Sequence, residues 1–240
     1  MTPGALRSRA ATLPTDLVLA GFGVAVAVVA ASFAYAIPDG LASAPDAVRA
    51  AFRAELATST TLITAMAAAL YAGFDYTLDL RRGVIAREAM SLRRSAILGA
   101  RAVMAAVGGA VIGISCASGI AVAAALVGAG WMLEPLLLLQ AATTGLLAAT
   151  WGLAVSVLVR SHLVALFAVP ATLGIAVPLG AVLPQAAAWL PLPAIIGGVG
   201  SDLTALVRPQ TAVAPGVVAA AWLVLVGAAA VARFHSRDIT

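Results

Sequence analysis

Few side chains in this 240-residue chain can make or break bonds. It has one cysteine, Cys116, two histidines, His162 and His235, and no lysine. A single cysteine excludes an intrachain disulfide, and the cysteine and histidines are too few and too scattered for a closed zinc site. Ser115 stands beside Cys116 without a base in sequence reach, so the pair reads as helix packing and not as an activated nucleophile. No H-E-x-x-H or G-x-S-x-G pattern occurs, which removes the metalloprotease and hydrolase signatures. A phosphate-binding loop of the G-x-x-x-x-G-K-[ST] type needs its lysine at the phosphates, and these residues contain none. The chain therefore reads as a non-enzyme, and any ATP-driven work must come from a separate subunit.

What remains is ionic and concentrated. Residues 75–101 hold six of the fourteen arginines (Arg81, Arg82, Arg87, Arg93, Arg94 and Arg101) together with Asp75, Asp79 and Glu88. Gly83 permits a sharp turn. Val84 to Met90 are good helix formers, and Ile85, Ala89 and Leu92 fall at i, i+4 and i+7 as one apolar stripe, with Arg87 and Glu88 off it. Ser91 is suited to N-cap the next helix, with Leu92 at its first position. The pattern predicts a short amphipathic helix along the inner membrane surface. On the residues alone it is open to two readings. One is a positive-inside loop whose arginines snorkel into headgroups; the other is a docking element that passes a partner's motion to two spans.

The elements that position this loop are membrane helices. The chain is 62% hydrophobic and 10% charged, with mean hydropathy +1.06. A soluble domain carries about 25% charged residues, so this chain cannot cover a globular surface. Charge-free runs, at about 20 residues per crossing, place six spans near 17–37, 56–74, 102–127, 135–159, 163–183 and 212–232. Gly128 and Gly130 are expected to end the third, and Pro184, Pro191 and Pro193 to stop the fifth near Leu183. The expected fold is all-α and polytopic, one transmembrane domain over 1–240 with a loop at 75–101 and an outer segment at 184–208. Arg7, Arg9 and Ala34-Tyr35-Ala36 resemble a signal peptide, but the apolar run exceeds the usual core of about 7–15 residues.

Orientation follows from the arginines. Arg7, Arg9, Arg81, Arg82, Arg87, Arg93, Arg94, Arg101, Arg160, Arg233 and Arg237 share one side, against Arg49, Arg53 and Arg208 on the other. The bias puts both termini in the cytoplasm. Topology and anionic headgroups then account for the +4 net charge without nucleic acid. The lack of lysine and the abundance of alanine point to a GC-rich bacterial genome, and the expected location is the bacterial inner membrane.

The spans carry no ionisable residue near mid-membrane, since Asp75 and Glu134 lie at their ends. That weighs against ion-coupled carriers and channels, which place acids or histidines there. Thr60, Thr64, Ala68 and Ala72 form a small-residue face of the second span. Pro170 and Pro178 can kink the fifth, which also carries Phe167 and Thr172. Gly109 and Gly113 make a G-x-x-x-G packing motif, usable within the chain or between chains.

The 75–101 loop resembles that of type-2 ATP-binding-cassette (ABC) exporter permeases. The family pattern is an acid, Gly-Thr about four positions on, a short helix, Pro-Arg-Arg, and a later lysine. Here Asp79 precedes Gly83 by four, Val84 stands for the threonine, Leu92 for the proline, Arg93 and Arg94 follow, and Arg101 holds the lysine position. Val155 to Pro170 is similar to the family's turn between the fourth and fifth spans. Pro184 to Asp202 is similar to its outer-face re-entrant helices, where broken backbone must be buried in protein or line a cavity.

The resemblance covers most of the chain. It implies a homodimer, or a heterodimer with a similar chain, bound to two copies of an ABC ATPase subunit that carries the ATP and Mg. It implies a short cytoplasmic coupling helix, with ATPase contacts at Arg81, Arg82, Val84, Ile85, Arg87, Glu88 and Met90 and a second contact at Arg160 and His162. It puts Thr61, Thr64, Phe167 and Thr172 on the substrate path, for which intrahelical bonding by the threonines is the competing account. A path without fixed charge suits an apolar or amphipathic cargo: a lipid-like molecule, peptide or antibiotic. The chain itself is expected to bind no cofactor or metal. Two other functions fit the same composition: a membrane scaffold or assembly protein without transport, and a gradient-driven secondary transporter.

Overall fold

A computed structural model describes residues 13–32, 40–126, 134–200 and 213–236, and among these every regular element is helical. In chain order they are α1 (Leu13–Ser32), a 3-10 turn (Leu41–Ser43), α2 (Asp46–Arg81), α3 (Val84–Ala89), α4 (Arg94–Leu126), α5 (Pro135–Val159), α6 (His162–Gly174), α7 (Ala176–Val182), α8 (Pro184–Ala187), α9 (Pro191–Gly198) and α10 (Pro215–Ser236). Five runs are long and apolar enough to cross a membrane: α2, α4, α5, His162–Val182 (α6 with α7) and α10. The sequence predicts a sixth at 17–37, whose described apolar part, Leu17–Ser32, is shorter than the other five.

The helices outrun the charge-free segments. α2 covers 36 residues where the sequence predicts a span over 56–74, and α10 continues past Ala232 through Arg233 and His235. Hydropathy marks the part that fits hydrocarbon. Arginine, glutamate and alanine extend a helix equally well in headgroups or water. The connection between the second and third spans therefore shrinks from 75–101 to 82–93, half of it α3.

Ser91 does not cap α4. Its N–H and hydroxyl both donate back to the Glu88 carbonyl, at 3.1 and 3.3 Å. The first carbonyl of α4 to accept helix bonds is that of Arg93. α2 ends because Gly83 takes a left-handed φ of 68°, open to a residue without Cβ.

At the centre, α5 packs on both α2 and α4. α1 lies against α4 and α2, α6 against α2 and α5, and α10 against α5 and α9. Small residues allow the close approach. A Cβ on Gly109 would overlap the Gly145 carbonyl, and one on Gly113 the Ala141 carbonyl, so the G-x-x-x-G motif packs α4 on α5 within the chain. Gly152 of α5 meets Ala69 of α2 in the same way.

The helix from His162 is interrupted at Ile175. Pro178 has no N–H for the Gly174 carbonyl four residues back, which accounts for the interruption. The segment after Leu183 is folded helix, with Pro191 to Ile196 buried. The Trp222 indole N–H donates to the Trp189 carbonyl at 2.7 Å, tying α10 to this segment. The readings at Arg7, Arg9, Ala34 to Ala36, Gly128, Gly130, Arg208 and Arg237 lie outside the described residues.

Candidate functional site

One end of the bundle is built around Arg101. It sits two turns into α4, 3% exposed, and its guanidinium reaches back across the turn that precedes the helix. Nη1 donates to Asp79 Oδ2 of α2 and Nη2 to Glu88 Oε2 of α3, both at 2.9 Å. The Tyr76 ring lies 6.0 Å from the guanidinium carbon. A buried guanidinium must find anions, and here each comes from a different element. Three consecutive helices are thus tied through one cation.

α3 is fixed by packing as well as charge. Ile85 is fully buried, and Ala89 and Leu92 pack half-buried against the core, as the apolar stripe predicts. Val84 is half-buried beside it. Arg81, Arg82, Arg87, Met90, Ser91 and Arg93 are exposed, Met90 by 82%. Arg87 donates to the Arg82 carbonyl at 3.3 Å, folding its side chain over the turn. Glu88, grouped from sequence with Arg87 as an outward contact, points inward.

The second expected contact lies at the junction of α5 and α6. Arg160 closes α5 with φ of 60°, the one non-glycine residue with positive φ among those described. His162 is half-buried, its ring 5.1 Å from Phe74 and its Nδ1 2.8 Å from Thr77 Oγ1. The Thr77 hydroxyl also lies 2.7 Å from the Gly73 carbonyl, which can only accept. The hydroxyl proton goes there, leaving Thr77 oxygen to receive an Nδ1–H from His162. His162 thereby docks α6 on α2 two residues from Asp79. Two further arginines bind helix-end carbonyls: Arg94 donates to that of His235 and Arg233 to that of Leu158, each at 2.9 Å.

The four residues expected on the substrate path lie in different settings. Thr61 is fully buried and donates to the Ala57 and Thr58 carbonyls of its own helix. Thr64 is fully buried in α2, close to Cys116. Phe167 is 76% exposed on the outside of α6. Thr172 accepts from the Trp151 indole at 3.2 Å and donates to the Val169 carbonyl. An apolar groove of about 800 Å³ opens elsewhere, between α1 and α4, lined in part by Gly23, Ala27, Ser115 and Gly119.

Tyr76 and Thr77 carry no sequence signal of their own. Asp79 and Arg101 stand in the loop pattern, yet nothing in their spacing says that they touch. The usable clue is that Arg101 is the last charge before the apolar run of the third span, where an arginine needs an acid partner.

No family model matches the chain, and neither a curated protein nor a solved structure matches it.

Proposed function

We propose that the chain is the membrane-spanning permease subunit of an ATP-driven exporter of the type-2 ABC kind, acting in the bacterial inner membrane. In this reading α1 is the sixth span and both termini are cytoplasmic. Two permease chains, identical or similar, stand over two ATPase subunits. The cargo is apolar or amphipathic: a lipid-like molecule, peptide or antibiotic. ATP and Mg stay in the partner.

The observation that carries the reading is α3, a six-residue helix locked to α2 and α4 by the Asp79–Arg101–Glu88 cluster while its opposite side faces solvent. A loop that only snorkels has no need of a buried ion-pair cluster, whereas a mechanical input does. Force on α3 passes through Arg101 into two long helices together. His162 and Thr77 extend that connection to α6, the helix of the second contact.

The test is copurification followed by reconstitution. An ATP-hydrolysing chain copurifies with the full-length protein, and vesicles holding both expel an amphipathic dye only with ATP. Flux by the chain alone under a proton or sodium gradient would replace this reading with a secondary carrier.

A further inference from the structure

At the opposite end of the bundle from Arg101, two charges of opposite sign line one small cavity without pairing. The cavity lies among α2, α4 and α5. Arg53 and Glu134 line it with Gln140, and its apolar lining includes Leu56, Ile120 and Leu137. Among the described residues neither charged side chain is in an ion pair. Neighbouring charges do not account for them. Arg53 feels Asp46, two turns away on the same helix, but that carboxylate is bound by Arg49. Glu55 is exposed and is not part of the lining. An acid at a helix start is favoured by the dipole, yet the Glu134 side chain makes no cap bond to α5.

Depth and size narrow what can satisfy both charges. Arg53 stands three residues before the charge-free run that opens at Leu56, a rise of about 5 Å. Glu134 immediately precedes the run that opens at Pro135. The headgroup layer takes up about 5–8 Å on each side of the hydrocarbon. Both charges therefore lie at headgroup level, and Leu56 and Leu137 lie at the edge of the hydrocarbon. The cavity holds about 100 Å³, the share of about three waters in the liquid. That admits a group of a few heavy atoms and excludes a sugar or a peptide. A ligand for it needs an anion for Arg53, a cation for Glu134 and a short apolar link between them. A primary ammonium fits better than a trimethylated one, which is bulkier and has no N–H to donate to the carboxylate.

We propose that this cavity binds the headgroup of a zwitterionic phospholipid of the ethanolamine type. The phosphate pairs with Arg53, the ammonium donates to Glu134, and the linking methylenes lie on the apolar lining. The site requires only that the chain lie in a membrane, so it stands whether or not the chain is an exporter.

The experiment is native mass spectrometry of the full-length protein, stripped of lipid in mild detergent. It is titrated with phosphatidylethanolamine, phosphatidylcholine and phosphatidylglycerol of matched chains. Wild type is expected to retain phosphatidylethanolamine about threefold to fivefold better than phosphatidylcholine, the scale of one exposed ion pair. Glu134→Gln is expected to abolish that preference and to raise retention of anionic phosphatidylglycerol. Arg53→Gln is expected to weaken retention of all three lipids. Glu55→Gln, which changes an exposed acid outside the lining, is expected to match wild type. Unfolding midpoints without lipid check that each variant is folded, which the exposure of these positions favours.

Equal retention of phosphatidylethanolamine and phosphatidylcholine by wild type overturns the proposal. So does a preference that survives in Glu134→Gln, which would mark general annular lipid. Displacement of the lipid by an equal concentration of soluble glycerophosphoethanolamine would keep the charge pattern of the site but overturn a membrane lipid as its occupant.

Discussion

Glu88 and Arg101, thirteen positions apart, meet side chain to side chain at 2.9 Å in a largely buried setting. The pair fixes the direction of the short helix, because Glu88 faces the bundle only if Arg87 faces away. Removing Arg101 leaves Asp79 and Glu88 close together without their cation. Arg101→Ala is expected to cost about 3–5 kcal/mol. Neutralising the whole cluster, with Arg101→Met, Asp79→Asn and Glu88→Gln, is expected to recover most of that loss. Thermal and denaturant unfolding in detergent measure both. Equal losses in the two proteins would mean that the cluster's charge is not what holds it.

The opposed directions of neighbouring residues separate stability from coupling. Arg87→Glu changes an exposed side chain, so folding is expected to stay within about 0.5 kcal/mol of wild type. Its effect is expected in partner binding and in substrate-stimulated ATP hydrolysis. Glu88→Lys sets a second cation against buried Arg101 and is expected to reduce folded yield. Gel-filtration profiles read alongside ATPase assays distinguish the two. A well-folded Glu88→Lys protein that fails only in ATPase stimulation would contradict the inward placement.

Glycines on the α4–α5 seam are expected to behave unlike glycines facing open space. Gly145→Ala forces a methyl onto the Gly109 carbonyl and Gly113→Ala one onto that of Ala141. Overpacking of this kind costs about 1–3 kcal/mol. Gly227 has no neighbour that its Cβ would meet, and Gly227→Ala is expected to be neutral or slightly stabilising, by up to about 1 kcal/mol. Unfolding midpoints test the contrast. If Gly113→Ala instead dissociated an oligomer of intact subunits, the motif would be working between chains.

Much of this architecture was legible in the sequence. Charge-free runs mark where helices fit hydrocarbon, Gly83 marks a turn, and the spacing of Ile85, Ala89 and Leu92 identifies the buried stripe of α3. The direction of Glu88 was not legible, because a helical wheel says only that a residue is off the apolar stripe. Which off-stripe residue turns inward depends on Arg101, contributed by the next helix. The threonines were ambiguous for a related reason. Thr61 has the spacing of a lining residue, but hydroxyls at that spacing also bond to their own helix, and its oxygen lies within reach of two carbonyls there.

Arg160 carries a conformational load that glycine would not. Its left-handed φ of 60° costs an L-residue about 1 kcal/mol or more. Arg160→Gly is expected to hold or raise the unfolding midpoint. If Arg160 contacts the partner, the same variant lowers ATP-dependent transport. A simultaneous rise in stability and fall in transport, read by melting curves and vesicle efflux, would identify a strained residue kept for its charge. A fall in both would show that the side chain supports the fold.

The interruption at Ile175 gives this helix two ends of unequal freedom. From His162 to Gly174 it is moored to α2 through His162, with one rung left open by Pro170. Beyond Pro178's missing rung, Ala176–Val182 is a short rod joined to the rest by a weakened link. Backbone bonds from Ile175 N–H to the Ala171 carbonyl and from Leu179 N–H to the Ile175 carbonyl still cross the link, so any bend is expected there, where one rung is missing, and not in the moored half. A bundle made this way is expected to yield first at the end remote from its arginine clasp.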